Sequence, residues 1–306
     1  MTIAYLFPGQ GAQAVGMGKD LYDAVPAAKA IFDEADQALG FSLSQLCFEG
    51  PMEDLTQTIN TQPAILTASV AALEAAREVL GDKGLTPSFA AGHSLGEYSA
   101  LVASGSMTFS DAVKLVRERG RLMQAAGDAA EGAMAAVMGM PEDQLQAICE
   151  ANGVDMANLN SAEQIVISGS KTGVEAAQKA AEEGGARRVV PLPVSAAFHS
   201  SLMDPAVPGM RTALEGASIS APTYPVVGNV TAQPLETADE VVDELARQIR
   251  SSVQWFRTVE YLRDNGVTTF IEIGPGKVLT GLVKRTFDGA ETVNIGNLEE
   301  LEALRA

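Results

Sequence analysis

Phe89-Ala90-Ala91-Gly92-His93-Ser94-Leu95-Gly96-Glu97-Tyr98-Ser99-Ala100-Leu101-Val102-Ala103 is the stretch that decides the reading of this chain. An apolar run ends at Gly92, a G-x-S-x-G motif centres on Ser94, and residues 98–103 can form a helix. Strand, tight turn and helix in that order hold a serine on an exposed elbow. Gly92 and Gly96 let neighbouring backbone approach closely and let Ser94 take a strained conformation. The helix after the turn aims backbone N–H groups at an oxyanion formed beside the serine. A chance glycine-rich turn is the competing reading of the motif alone. The strand before it and the helix after it favour a nucleophile.

A serine nucleophile needs a base, and the sequence contains only two histidines. His93 is the serine's immediate neighbour, and adjacent side chains in a strand or sharp turn point different ways. That leaves His199, in Pro191-Leu192-Pro193-Val194-Ser195-Ala196-Ala197-Phe198-His199-Ser200.

A second clue is a charge on an apolar face. Over residues 109–126, a helical period puts Ala112, Val116 and Met123 on one side, flanked by Val113 and Leu115. Arg119 falls in the middle of that side, opposite Lys114, Arg117 and Arg121. Burying a guanidinium is costly unless it is paired. A structural ion pair, a snorkelling side chain and an anion site all remain open at this point. An anion site would use the planar fork to hold a carboxylate bidentately.

Bulk properties narrow the class. With 306 residues, 46% hydrophobic and 20% charged, the chain has the composition of an ordered globular protein. No apolar run is long enough to span a membrane, and no signal-like N-terminus is visible, so cytoplasmic residence is the default expectation. A net charge of −18 argues against nucleic acid as the main partner. Cys47 and Cys149 are far apart and read as buried thiols. With no C-x-x-C and two histidines, no metal site is expected.

Organisation points to an α/β protein with an insert. Strands are expected at 3–7, 89–91, 224–227 and 269–273, alternating with helices over 26–39, 62–80, 98–103, 109–126, 238–250 and 253–265, and a helical turn at 54–57. Between 128 and 195 the order changes to strand 133–139, helix 141–151, strands 154–159 and 164–168, helix 171–183 and strand 187–192. This β-α-β-β-α-β order is a split βαβ, ferredoxin-like pattern. The expected domains are therefore a discontinuous core, 1–127 and 196–306, and an insert, 128–195.

Taken together, Gly9-Gln10-Gly11, Gly92-His93-Ser94-Leu95-Gly96-Glu97, Arg119, Phe198-His199-Ser200 and Gly274-Pro275-Gly276 closely resemble the malonyl-CoA:acyl carrier protein transacylases of bacterial fatty acid synthesis. The resemblance extends over Asn160 to Gly169, Gly228-Asn229-Val230-Thr231 and Val253-Gln254-Trp255, nearly the whole chain. It implies a hydrolase-like parallel-sheet core with a ferredoxin-like insert. It implies a ping-pong transfer of malonyl from malonyl-CoA to the phosphopantetheine thiol of acyl carrier protein, through a malonyl-serine. By resemblance, Ser94 is the nucleophile, His199 the base, and the backbone N–H groups of Gln10 and Leu95 the oxyanion hole. Arg119 becomes the clamp on malonyl's free carboxylate, His93, Phe198, Met123 and Asn160 line the acyl site, and the Gln254 carbonyl orients His199. Asp204, the nearest acid after His199, is not promoted to a triad member. Ala12 departs from the serine that many relatives carry, with little expected effect. The implied chemistry uses no cofactor and no metal. An acidic carrier protein would need basic docking residues, for which Lys277, Lys284, Arg285, Arg187 and Arg188 are the candidates, and a monomer is expected. Leu95 and Phe198 resemble selectors of malonyl over its α-methyl homologue. A serine esterase or thioesterase, a polyketide malonyl loader and a non-catalytic carrier-binding module are the alternatives.

Overall fold

The computed structural model describes residues 2–81, 86–194 and 196–305. Among the described residues, ten strands form two sheets. They are β1 (Ile3–Phe7), β2 (Phe89–Gly92), β3 (Gly132–Met138), β4 (Asp155–Ser161), β5 (Gln164–Ser170), β6 (Arg188–Pro191), β7 (Val226–Val227), β8 (Pro234–Leu235), β9 (Thr269–Ile273) and β10 (Glu291–Ile295).

The larger sheet has the order β10-β9-β1-β2-β7-β8. Its first five strands pair in parallel, and only the short β8 runs antiparallel, against β7. β1 is buried on both faces, as a central parallel strand must be. Tyr5 and Phe7 point toward the core layer that contains the helix Thr58–Leu80, whereas Ala4 and Leu6 point toward a layer with Trp255 and Phe270. The smaller sheet is antiparallel with the order β4-β5-β3-β6, and its helices Glu142–Asn152 and Lys171–Glu183 give the β-α-β-β-α-β sequence expected. All four of its strands lie, in sequence, between β2 and β7. Ser195, at the expected outer boundary, falls outside the described residues.

The two sheets are stitched together near the site. Val253 N–H donates to Ala157 O at 2.8 Å and Leu159 N–H to Val253 O at 2.9 Å, bridging β4 to the segment after the helix Ala238–Gln248. β4 shifts register on either side of this bridge.

Several elements depart from expectation. The long helix begins at Thr58 rather than 62, with Pro63 inside it. Proline offers no N–H to the carbonyl of Ile59. Arg117 Nη1 supplies that donor instead, at 2.9 Å. Helices at Lys19–Ala24, Leu43–Glu49, Val207–Glu215, Val278–Thr286 and Leu298–Ala303, together with the strand β10, were not legible from periodicity. Most span two turns or fewer, too short to show a repeat, and β10 is a half-exposed edge strand.

Candidate active site

The site forms where β1 and β2 end side by side. Gly92 and Gly96 are required by packing. A Cβ on Gly92 would lie 1.9 Å from the Gly96 carbonyl carbon, and one on Gly96 would lie 2.0 Å from Phe7 O. Only glycine lets the first turn of the helix Gly96–Ala103 press against both strands. That contact forces Ser94 into the left-handed region, φ 51°.

His199 reaches the same point from the other side of the sequence. Its Nε2 lies 2.7 Å from Ser94 Oγ. Its Nδ1 faces two backbone carbonyls, Gln248 O at 2.9 Å and Ser251 O at 3.0 Å. Carbonyls only accept, so Nδ1 carries the proton and Nε2 presents its lone pair to Ser94. His199 also has a positive φ, 56°, which the sequence did not announce. Burial, reinforced by the Arg119 charge, lowers its pKa to about 3, so the imidazole is neutral and ready to accept a proton.

The orienting carbonyl therefore belongs to Gln248, with Ser251, and not to Gln254. The Gln254 carbonyl is already committed. It opens the helix Trp255–Asp264 by accepting Thr258 N–H at 2.9 Å. Asp204 lies at the surface and pairs with Arg250 at 2.5 Å, so no carboxylate completes a triad among the described residues.

Arg119 is buried, on the apolar face where the helical period places it. Nη1 donates to Gln62 Oε1 at 2.8 Å, and Nη2 donates to Gln248 Oε1 at 2.7 Å and Ser94 Oγ at 3.1 Å. All three acceptors are neutral, and Nε has no hydrogen-bond partner among the described residues. The guanidinium is thus neither snorkelling nor paired directly with a carboxylate. It keeps a full positive charge next to the nucleophile, which suits an anionic ligand group.

Together, Gln10, His93, Ser94, Leu95, Arg119, Met123, Phe198 and His199 line one cavity of about 130 Å³. Met134, Asn158, Leu192 and Val194 close it from the smaller-sheet side and were not anticipated. The backbone N–H groups of Gln10 and Leu95 donate to no described residue, which leaves them free to face an oxyanion. Asn160 does not line the cavity. Its Oδ1 sits 2.8 Å from His93 Nε2, and the His93 ring packs on Trp255 at 5.5 Å between centroids. Asn160 therefore acts by holding a wall residue. Burial lowers the His93 pKa, opposed by the Asn160 bond, so His93 is neutral.

Beneath the nucleophile lies a polar layer missed from sequence. The Asn229 side chain accepts from Ser94 N–H and donates to Gly92 O, both at 2.7 Å. Gln248 Nε2 donates to Ser94 O at 2.8 Å. Gln248 was findable by the signal that exposed Arg119. Val241, Leu245 and Gln248 share one buried helix face, and a polar residue stands among apolar ones.

Of the candidate docking residues, Lys277 pairs with Glu300 at 2.5 Å and Arg187 with Glu163 at 3.0 Å. Arg188, Lys284 and Arg285 are exposed, and no ion pair is found for them among the described residues. The Gly274-Pro275-Gly276 loop packs on the loop carrying Gln10. A Cβ on Gly274 would meet the Pro8 ring at 3.1 Å, and one on Gly276 would touch Ala12 at 3.7 Å.

Comparison with known proteins bears on these features together. The family described as acyl transferase domain matches residues 4–300. The chain is 50% identical over 305 residues to a malonyl CoA-acyl carrier protein transacylase from Bacillus subtilis, covering 98% of this chain and 95% of the relative. Its structure is similar to an acyl-carrier-protein S-malonyltransferase from Bartonella henselae, with a TM-score of 0.95, 43% identity and coverage of 99% and 98%. It is also similar to a malonyl-transacylase solved in complex with its type II polyketide acyl carrier protein, with a TM-score of 0.93, 40% identity and coverage of 99% and 98%.

Proposed function

We propose a specific reaction for this chain, which belongs to the acyl transferase domain family: transfer of malonyl from malonyl-CoA to the phosphopantetheine thiol of an acyl carrier protein, supplying fatty acid elongation. The observation that carries this reading is Arg119, a buried cation with neutral partners, 3.1 Å from the serine that His199 activates.

In the first half-reaction His199 Nε2 takes the Ser94 Oγ proton as Oγ attacks the malonyl thioester carbon. The oxyanion forms against the N–H groups of Gln10 and Leu95, each such donor contributing about 3 kcal/mol to the transition state. Collapse breaks the C–S bond, and His199 returns its proton to the departing coenzyme A sulfur. The carrier thiol then gives its proton to His199, attacks the malonyl-serine ester and regenerates Ser94. Arg119 holds the distal carboxylate in both halves, while Met123 and Phe198 fill the space around the acyl carbons. The proton and the nucleophile both come from side chains, so the reaction as proposed uses no cofactor and no metal.

The partners in this reading are malonyl-CoA and a carrier protein, met by one protomer acting alone. The setting is the cytoplasm, in keeping with two buried, unpaired thiols, Cys47 and Cys149. No described helix is long and apolar enough to cross a membrane.

The test is intact-protein mass after brief exposure to malonyl-CoA, with acetyl-CoA in parallel. We expect one malonyl adduct on Ser94, cleared by carrier protein. Free malonate without an adduct would indicate a hydrolase.

A further inference from the structure

One buried carboxylate has no part in the chemistry above. Glu97 lies three residues after the nucleophile, in the first turn of the elbow helix, and is fully buried. Its Oε1 accepts from Asn229 N–H at 3.1 Å, and its Oε2 accepts from Gln248 Nε2. Those two neighbours hold nearly everything that matters in the site. The Asn229 side chain fixes the backbone of Gly92 and Ser94. Gln248 holds Ser94 O, Arg119 Nη2 and, through its own carbonyl, His199 Nδ1. A buried charge is costly, and Glu244 close by adds repulsion; both raise the Glu97 pKa. Nothing about the elbow itself requires a carboxylate there.

We propose that Glu97 is a positioning residue that sets selectivity for the carboxylated acyl group, by fixing the Gln248 amide so that its oxygen faces Arg119. The inference rests on the malonyl-transfer reading. A carboxylate accepts at both oxygens, so it satisfies Asn229 N–H and the Gln248 NH₂ together. An amide in its place cannot, because one of its two ends donates. Asn229 N–H is backbone and cannot move away, so in a Glu97→Gln variant the new amide turns its oxygen toward Asn229. Its NH₂ then opposes the Gln248 NH₂. The Gln248 side chain is the part able to swing, and when it swings Arg119 loses the acceptor that aims it. The swing also releases Ser94 O, but Ser94 N–H stays on the Asn229 side chain and His199 Nδ1 stays on the carbonyls of Gln248 and Ser251, so neutral acyl groups are affected less.

The experiment compares kcat/KM for malonyl-CoA and acetyl-CoA, with holo carrier protein as acceptor, in wild type, Glu97→Gln and Glu97→Asp. Wild type must first form the malonyl adduct. If it does not, the malonyl-transfer reading fails whatever the variants do. Given the adduct, Glu97→Gln should lower the malonyl-to-acetyl ratio about tenfold or more, a change of about 1.4 kcal/mol or greater. Glu97→Asp, still a two-way acceptor, should keep the ratio even if both rates fall. An unchanged ratio in Glu97→Gln, or equal loss with both donors, overturns the proposal and leaves Glu97 a structural residue. Should Glu97→Gln not fold, Gln248→Met reads the same arm: a lowered ratio supports the proposal and an unchanged one overturns it.

Discussion

Arg119 shows how much one side chain can carry. Its burial is offset by two amides and a hydroxyl, and a malonyl carboxylate would supply the missing counter-charge. Removing one partner of a buried charge pair costs about 2–4 kcal/mol, which is about 30- to 1000-fold in kcat/KM. Arg119→Ala should lose malonyl transfer by that factor and acetyl transfer far less. Equal loss for both donors would sink the clamp assignment. The same substitution should change the pH profile. Burial and then the Arg119 charge lower the His199 pKa, to about 3, so the free wild-type enzyme keeps its base unprotonated through the mildly acidic range. Without the cation one of those two causes disappears and the pKa rises. The acid limb of kcat/KM for acetyl-CoA should therefore move to higher pH in Arg119→Ala. A limb at the same pH would show that the charge does not reach the imidazole.

Elements are held by substitutions of one donor for another. Pro63 leaves Ile59 O without its helical partner, and Arg117, from the helix Phe109–Ala129, fills the gap. Arg117 also stacks over the Phe41 ring at 4.7 Å. Arg117→Met should lower stability by about 1–3 kcal/mol in urea unfolding, because a part-buried carbonyl loses its donor. Malonyl selectivity should not change, since Arg117 faces away from the cavity. A stability loss within error of zero would mean that water replaces the guanidinium at no cost. This exchange also explains why the helix starts earlier than its periodicity suggests. Proline reads as a first-turn residue, and a compensating donor 58 positions beyond Ile59 leaves no local trace.

At the scale of the whole molecule, two sheets meet at the Val253 bridge and the cavity lies between them. A carrier protein must reach Ser94 from outside this cleft, and a chain with net charge −18 needs local cations to receive an acidic partner. Lys284 and Arg285, on the last turn of the helix Val278–Thr286 that follows the Gly274-Pro275-Gly276 loop, have no ion-pair partner among the described residues. Lys284→Glu with Arg285→Glu should raise KM for the carrier, with more effect at low salt, and leave acylation by malonyl-CoA unchanged. An unaltered carrier KM would place docking elsewhere, with Arg188 as the next cation to reverse.

What the sequence determined by itself is what local spacing can encode. The elbow motif placed Ser94, the count of histidines left His199, and an interrupted apolar stripe exposed Arg119. The order of strands and helices anticipated a parallel sheet with an antiparallel insert. The resemblance implies the Gln254 carbonyl, and nothing in sequence distinguishes one backbone carbonyl from another. Only the folded chain decides that Gln248 O and Ser251 O, rather than Gln254 O, meet His199 Nδ1. The same holds for Glu97 and its partners: Asn229 and Gln248 lie 132 and 151 residues from it along the chain yet share its hydrogen bonds. Periodicity reports which face of an element is buried. It carries no information about which buried polar atoms from different elements will face one another, because that depends on how the elements dock.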